Sequence, residues 1–197
     1  MDSFTVLPDK MITASGVISE TFLRLGVDTF AGACRHVHEL PYGYNSDRDD
    51  LMILFKEKLG SCTTKHAVIA TLAAEVGIPV AKSIGIYAMT EEIVTGTRRI
   101  LSTYALPYVP MVHCFLKSGD LRVDLTEDNH NGKNRPLTDF LFTQPVEPNI
   151  SAKDEYRLYR RAVAELLTTR RELQDVEIKT VLQARQEGLV LLRSKVA

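Results

Sequence analysis

The segment "MVHCFLKSGDLRVDLTE", residues 111–127, restricts the fold of this chain more than any other stretch. It reads as a β-hairpin: two alternating runs joined by a two-residue Ser118-Gly119 loop, which pairs 117 with 120 and, further out, 113 with 124. Side-chain parity supports those faces. Cys114, Leu116, Leu121, Val123 and Leu125 share one side, all apolar, while His113, Phe115, Arg122, Asp124 and Thr126 share the other. A slip of one residue would mix the two sets. The chain therefore contains an antiparallel sheet with one apolar face to bury, and His113 is expected opposite Asp124, Cβ atoms ~5 Å apart.

A second signal comes from "LGSCTTKHAVIATLAAEVGIPV", residues 59–80. Ser61 is a candidate N-cap, its hydroxyl able to accept from a first-turn amide. Ile69, Leu72, Ala73 and Val76 follow helical spacing, and Gly77 and Pro79 stop the run. The helix is expected from Cys62 to about Val76. Cys62 and His66 lie on its apolar stripe with Ile69, Ala73 and Val76, so Cys62 occupies the first turn on the inward side.

Around these elements the sequence predicts helices over 11–25 and 28–39 and a short one in "RDDLMILFKEKLG". The turn-rich "LPYGYNSD" precedes that short helix. "VAKSIGIYAM" (80–89) has strand composition, and 90–106 is helical or mixed. Residues 131–149 read as a long Pro- and Asn-containing connection, with an apolar turn at "DFLF", that borders the Cys62 pocket. Two helices follow, one capped by Ser151 and one starting near Asp175, with Gly188 an internal cost of ~1 kcal/mol. The expected organisation is a single domain over 1–197: a core at 40–130, a connecting segment at 131–150 and a C-terminal helical pair at 151–197.

Lys+Arg 24 against Asp+Glu 25 gives a net charge of −1 with no basic cluster, which makes no case for nucleic acid or an anionic membrane as partner. No apolar run approaches the ~20 residues that span a bilayer. "MDSFTVLPDKM" lacks a cationic start followed by an apolar stretch, so no secretion signal is read there. Three cysteines, Cys34, Cys62 and Cys114, do not suggest a disulfide framework, and a cytoplasmic setting with free thiols is the expectation.

A thiol attacks carbonyl carbon as thiolate, and a helix N-terminus lowers its pKa while presenting amides that can hold an oxyanion. It also needs an imidazole base, oriented by a third group. Cys62, His113 and Asp124 supply these parts as a candidate triad. His66, four residues from Cys62 on the same face, competes as the base; with nothing evident to orient it, it is expected beside the site in a supporting role.

With "GSCTTKHAVIATLAAEVGIPV" and "VHCFLKSGDLRVDLT" in that order, the chain resembles the transglutaminase-like cysteine superfamily, in particular uncharacterised bacterial members, over about residues 40–126. The resemblance implies an α+β, transglutaminase-like (papain-like) core in which the Cys62 helix packs on an antiparallel sheet bearing His113 and Asp124. It implies thiol-dependent acyl chemistry on an amide or ester of a peptide, protein or small molecule, by hydrolysis or transfer, with no cofactor. The superfamily's tissue enzymes use a tryptophan that this chain lacks, since Trp is 0.

Three alternatives stand beside this reading. Cys62 can be a small buried side chain, or the triad can persist in a catalytically inactive binding module of the same fold. A zinc protein would draw on Cys62, His66, His113 and Cys114, but without paired ligand spacing and with Cys114 on the other side of its strand. Calcium at "EDNHNG" fails because the twelfth loop position falls on Thr138.

Overall fold

The computed structural model describes residues 3–196. In chain order the α-helices and strands are α1 (Val17–Arg24), α2 (Phe30–Glu39), α3 (Ile53–Glu57), α4 (Cys62–Val76), β1 (Ala81–Met89), α5 (Thr97–Tyr104), β2 (Val109–Ser118), β3 (Leu121–Val123), β4 (Phe142–Pro145), α6 (Ala152–Thr169) and α7 (Ile178–Ser194). The strands form one antiparallel sheet in the order β3-β2-β1-β4. This is an α+β fold. One apolar cluster joins α1, α2 and α4 to Leu116 and Val123, and a second joins α5, α6 and α7 to Tyr87, Met89 and Met111.

α4 occupies the expected residues, and Gly77 ends it at φ +68°, a conformation glycine adopts without strain. Ser61 sits at the N-cap, but its hydroxyl makes no capping bond. The first-turn amides of α4 are therefore not consumed by the cap, and Cys62 stands at the positive end of the helix as its first residue. α1 begins at Val17, later than the periodicity suggests. Met11 bridges to Thr29 instead, and Glu75 of α4 accepts from the Ile18 and Ser19 amides, so a distant carboxylate sets the helix start.

The hairpin forms with the expected faces, but its register is shifted by two residues. Ser118 pairs with Leu121 and Leu116 with Val123, and the loop is Gly119-Asp120, with Gly119 at φ +57°. A two-residue shift preserves every side-chain face, so the apolar pattern could not separate the two registers. The position of the positive-φ glycine in the turn does so. Asp124 consequently lies just beyond β3, and it meets His113 along a diagonal rather than directly across.

The 131–149 segment is more than a connection. "DFLF" runs into β4, whose residues pair with β1 from Ile86↔Phe142 to Ser83↔Pro145. Proline is tolerated there because β4 is an edge strand and Pro145 its last residue. Phe140 lies over Gly85, where an added Cβ would fall 2.2 Å from the Phe140 ring, and it stacks on Phe115.

Gly188 is explained by a similar close approach. A Cβ there would lie 2.9 Å from Met89 Cε and 3.2 Å from Met111 Sδ, so glycine lets α7 press onto the sheet. Gly188→Ala requires only movement of flexible methionine ends and is expected to be nearly neutral. Gly188→Leu is expected to destabilise by about 1–3 kcal/mol through overpacking. Urea unfolding midpoints check the pair; equal midpoints would mean that α7 has room to spare.

Candidate functional site

Cys62 opens α4 and is 8% exposed. β3 accompanies β2 only along Leu116–Ser118, so the flank of β2 at His113 and Cys114 has no strand beyond it. The first turn of α4 comes against that flank: Thr63 Oγ1 lies 3.8 Å from Cys114 Sγ, and Lys82 Nζ donates to the Thr63 carbonyl at 3.0 Å. At an open flank the thiol reaches consecutive residues of opposite parity. Cys114 and His113 both act on it and lower its pKa, and His113 lines the same cavity as Cys62. Cys114 packs with Cys62, Ile84 and Leu158 in one apolar cluster, so the residue on the strand face opposite His113 still borders the thiol.

His113 Nε2 donates to Asp124 Oδ2 at 2.5 Å. Nδ1 is the ring nitrogen left for the Cys62 thiol. Asp124 Oδ1 accepts from the Thr126 amide (2.8 Å) and hydroxyl (2.7 Å), which fixes the carboxylate plane. The sequence reading thus finds its three residues together, with Thr126 as an unforeseen fourth that orients Asp124.

His66 is spent on structure. The Leu125 amide donates to Nε2 at 2.9 Å, so the proton resides on Nδ1, which donates to the Cys62 carbonyl at 2.7 Å. Burial keeps this ring neutral, with its pKa lowered to about 4. With both nitrogens occupied, His66 can neither take a proton from Cys62 nor bind a metal. Instead it ties the start of α4 to the segment that carries Asp124.

The electrostatics couple these groups. A hydrogen bond from the Cys114 thiol lowers the Cys62 pKa; burial opposes it, and the charge and hydrogen bond of His113 bring it well below the usual thiol value. Cys114 is raised in return, chiefly by that bond to Cys62, and stays a thiol donor. For His113, burial pulls the pKa down but Asp124 outweighs it, and the imidazole rises to about 9. Burial would raise Asp124, yet His113 holds it well below the ordinary carboxylate range. These shifts favour the thiolate and imidazolium form of the pair, the state that a nucleophilic cysteine requires.

A cavity of about 390 Å³ opens in front of Cys62 and His113. Its walls come from far apart in sequence: Tyr42, Tyr44 and Arg48 from the loop before α3, Tyr87 from β1, Lys133 from the segment after β3, and Arg185 from α7. Lys133 makes part of the 131–149 segment a border of this pocket. Sequence reasoning missed Tyr87, although the isolated Gly85 two residues earlier is the strand signal for a close approach. Gly85 lies directly across from His113, and Tyr87 across from Met111. The Tyr87 hydroxyl is buried without a hydrogen-bond partner among the described residues.

Among the described residues, no group of three or more His, Cys, Asp or Glu is arranged to hold a metal ion, and no helix is long and apolar enough to cross a membrane. Compared with known proteins, the chain matches no family model, no curated protein and no solved structure.

Proposed function

We propose that this chain is a cysteine enzyme of the transglutaminase-like type that acts on an amide or ester through a covalent acyl-enzyme. The observation that carries the reading is the site itself: a first-turn thiol that lines one cavity with His113, whose Nε2 is bonded to a fixed Asp124. In this scheme the Cys62 thiolate adds to the carbonyl carbon, and the oxygen takes up the negative charge. First-turn amides of α4, free of a side-chain cap, hold that oxygen in this scheme. The His113 imidazolium then protonates the leaving amine or alkoxide as its bond to carbon breaks, which leaves a thioester on Cys62. Neutral His113 next takes a proton from water or an amine, which attacks the thioester and restores the thiolate.

The first test is selective alkylation. Iodoacetamide at neutral pH is expected to label Cys62 ahead of Cys34, whose thiol burial pushes up to about 12, and ahead of Cys114. The pH profile carries more information. Reactivity should fall as acid protonates the thiolate, with a midpoint well below the ordinary ~8.5 of a free thiol. Turnover of an ester should also fall on the alkaline side near pH 9, where His113 loses the proton it delivers to the leaving group. A Cys62 that labels no faster than the other two cysteines, with a midpoint near the free-thiol value, would sink the reading.

A further inference from the structure

Four cationic side chains, Arg48, Lys133, Arg185 and Arg193, line the cavity before Cys62, against one carboxylate, Glu155. Arg48 is already neutralised by it, through two parallel bonds at 2.8 Å each. The other three make no ion pair with protein among the described residues. Aromatic faces hold them instead: Arg185 lies 4.5 Å from the Tyr159 ring centroid, Arg193 5.3 Å from Tyr44, and Lys133 5.9 Å from Tyr42. A ring face positions a cation without cancelling its charge. Arg185 Nε and Tyr87 Oη, on lining residues, are buried donors without partners. Such orphaned donors are rare in proteins, and at a cavity wall they are open to water or to an anion.

We propose that the cavity admits small acyl compounds bearing an anionic group, carboxylate or phosphate, and that Arg185 and Arg193, with Lys133, hold that anion while the acyl carbon faces Cys62. The volume lies within the range of small-molecule sites. A guanidinium fork matches either oxyanion through paired N–H bonds. The assignment rests on the reading of Cys62 as the nucleophile and adds its substrate class.

Two probes with the same reacting carbon separate the claims: iodoacetate, which is anionic, and iodoacetamide, which is neutral. The Cys62 rate ratio of the first to the second, divided by the same ratio for glutathione, is expected to exceed ~10 at low salt and to fall as salt is added. The Arg185→Gln/Arg193→Gln double variant should bring it to roughly 1, and Arg193→Gln alone, an exposed position that folding tolerates, should lower it in part. Arg99→Gln removes the same unit charge from the exposed surface of α5 and should leave the ratio high. Succinate and inorganic phosphate as competitors then tell carboxylate from phosphate by which slows iodoacetate more. A wild-type ratio equal to that of glutathione, with Cys62 still reacting fast, overturns the anion site and leaves the nucleophile standing. Slow reaction with both reagents overturns the two together.

Discussion

Replacing Asp124 by asparagine is expected to slow acylation of Cys62 by on the order of 10²- to 10⁴-fold while the fold stands. The amide oxygen can keep both bonds from Thr126, which now reach Oδ1 at 2.8 and 2.7 Å. That leaves the amide NH₂ facing His113 Nε2. An NH₂ can only donate, so Nε2 must accept and the imidazole proton moves to Nδ1, the nitrogen that should receive the thiol proton. The variant therefore removes the charge that raises His113 to about 9 and also installs the wrong tautomer. The check is the rate of Cys62 acylation against pH from ~5 to ~9, a range that brackets the free imidazole and thiol values. Equal rates for wild type and variant would remove Asp124 from the mechanism.

Lys65→Met is expected to produce the largest loss of stability, roughly 3 kcal/mol or more. Lys65 is fully buried, and its ammonium donates to the carbonyls of His38 and Leu40 and to Asn129 Oδ1. Burial lowers its pKa to about 8, so it remains charged at neutral pH. One side chain on α4 thereby satisfies carbonyls at the C-terminal end of α2 and fastens the loop that follows Asp124. Methionine fills similar space but donates nothing; the His38 carbonyl keeps only its bond from Asn129 Nδ2, and the Leu40 carbonyl and Asn129 Oδ1 lose the ammonium at half-buried positions. For a chain of this length the melting temperature should fall by roughly 6–12 °C. A shift of about a degree would show that water replaces the ammonium at little cost.

What could be read from the sequence follows how local each signal is. α4 was legible because Ser61, Gly77 and the apolar spacing are all adjacent in the chain, and the triad was legible because it needs only that helix and one hairpin. The hairpin register was ambiguous by two residues, since the binary pattern repeats every two. β4 was hidden because it is an edge strand of four residues ending in proline, and its partner β1 lies some 60 positions earlier. The packing of Cys114 against Cys62 could not be foreseen, because parity along β2 does not report where the first turn of α4 docks. The cavity wall was the least accessible part. Arg185 and Arg193 look like ordinary solvated helix residues until α7 is seen packed on the sheet through Gly188 and beside the 42–48 loop.

The central claim is that Cys62 forms, and then releases, a covalent acyl group. Intact-protein mass spectrometry after brief exposure to an activated acyl ester, followed by dilution and peptide mapping, tests it most directly. The account predicts one acyl group on Cys62 at neutral pH, cleared on dilution into water or amine, with none at that position in Cys62→Ala. Failure of any adduct to form on Cys62, or an adduct that persists unchanged, would contradict it, the second result describing a binding protein that keeps the triad without its chemistry.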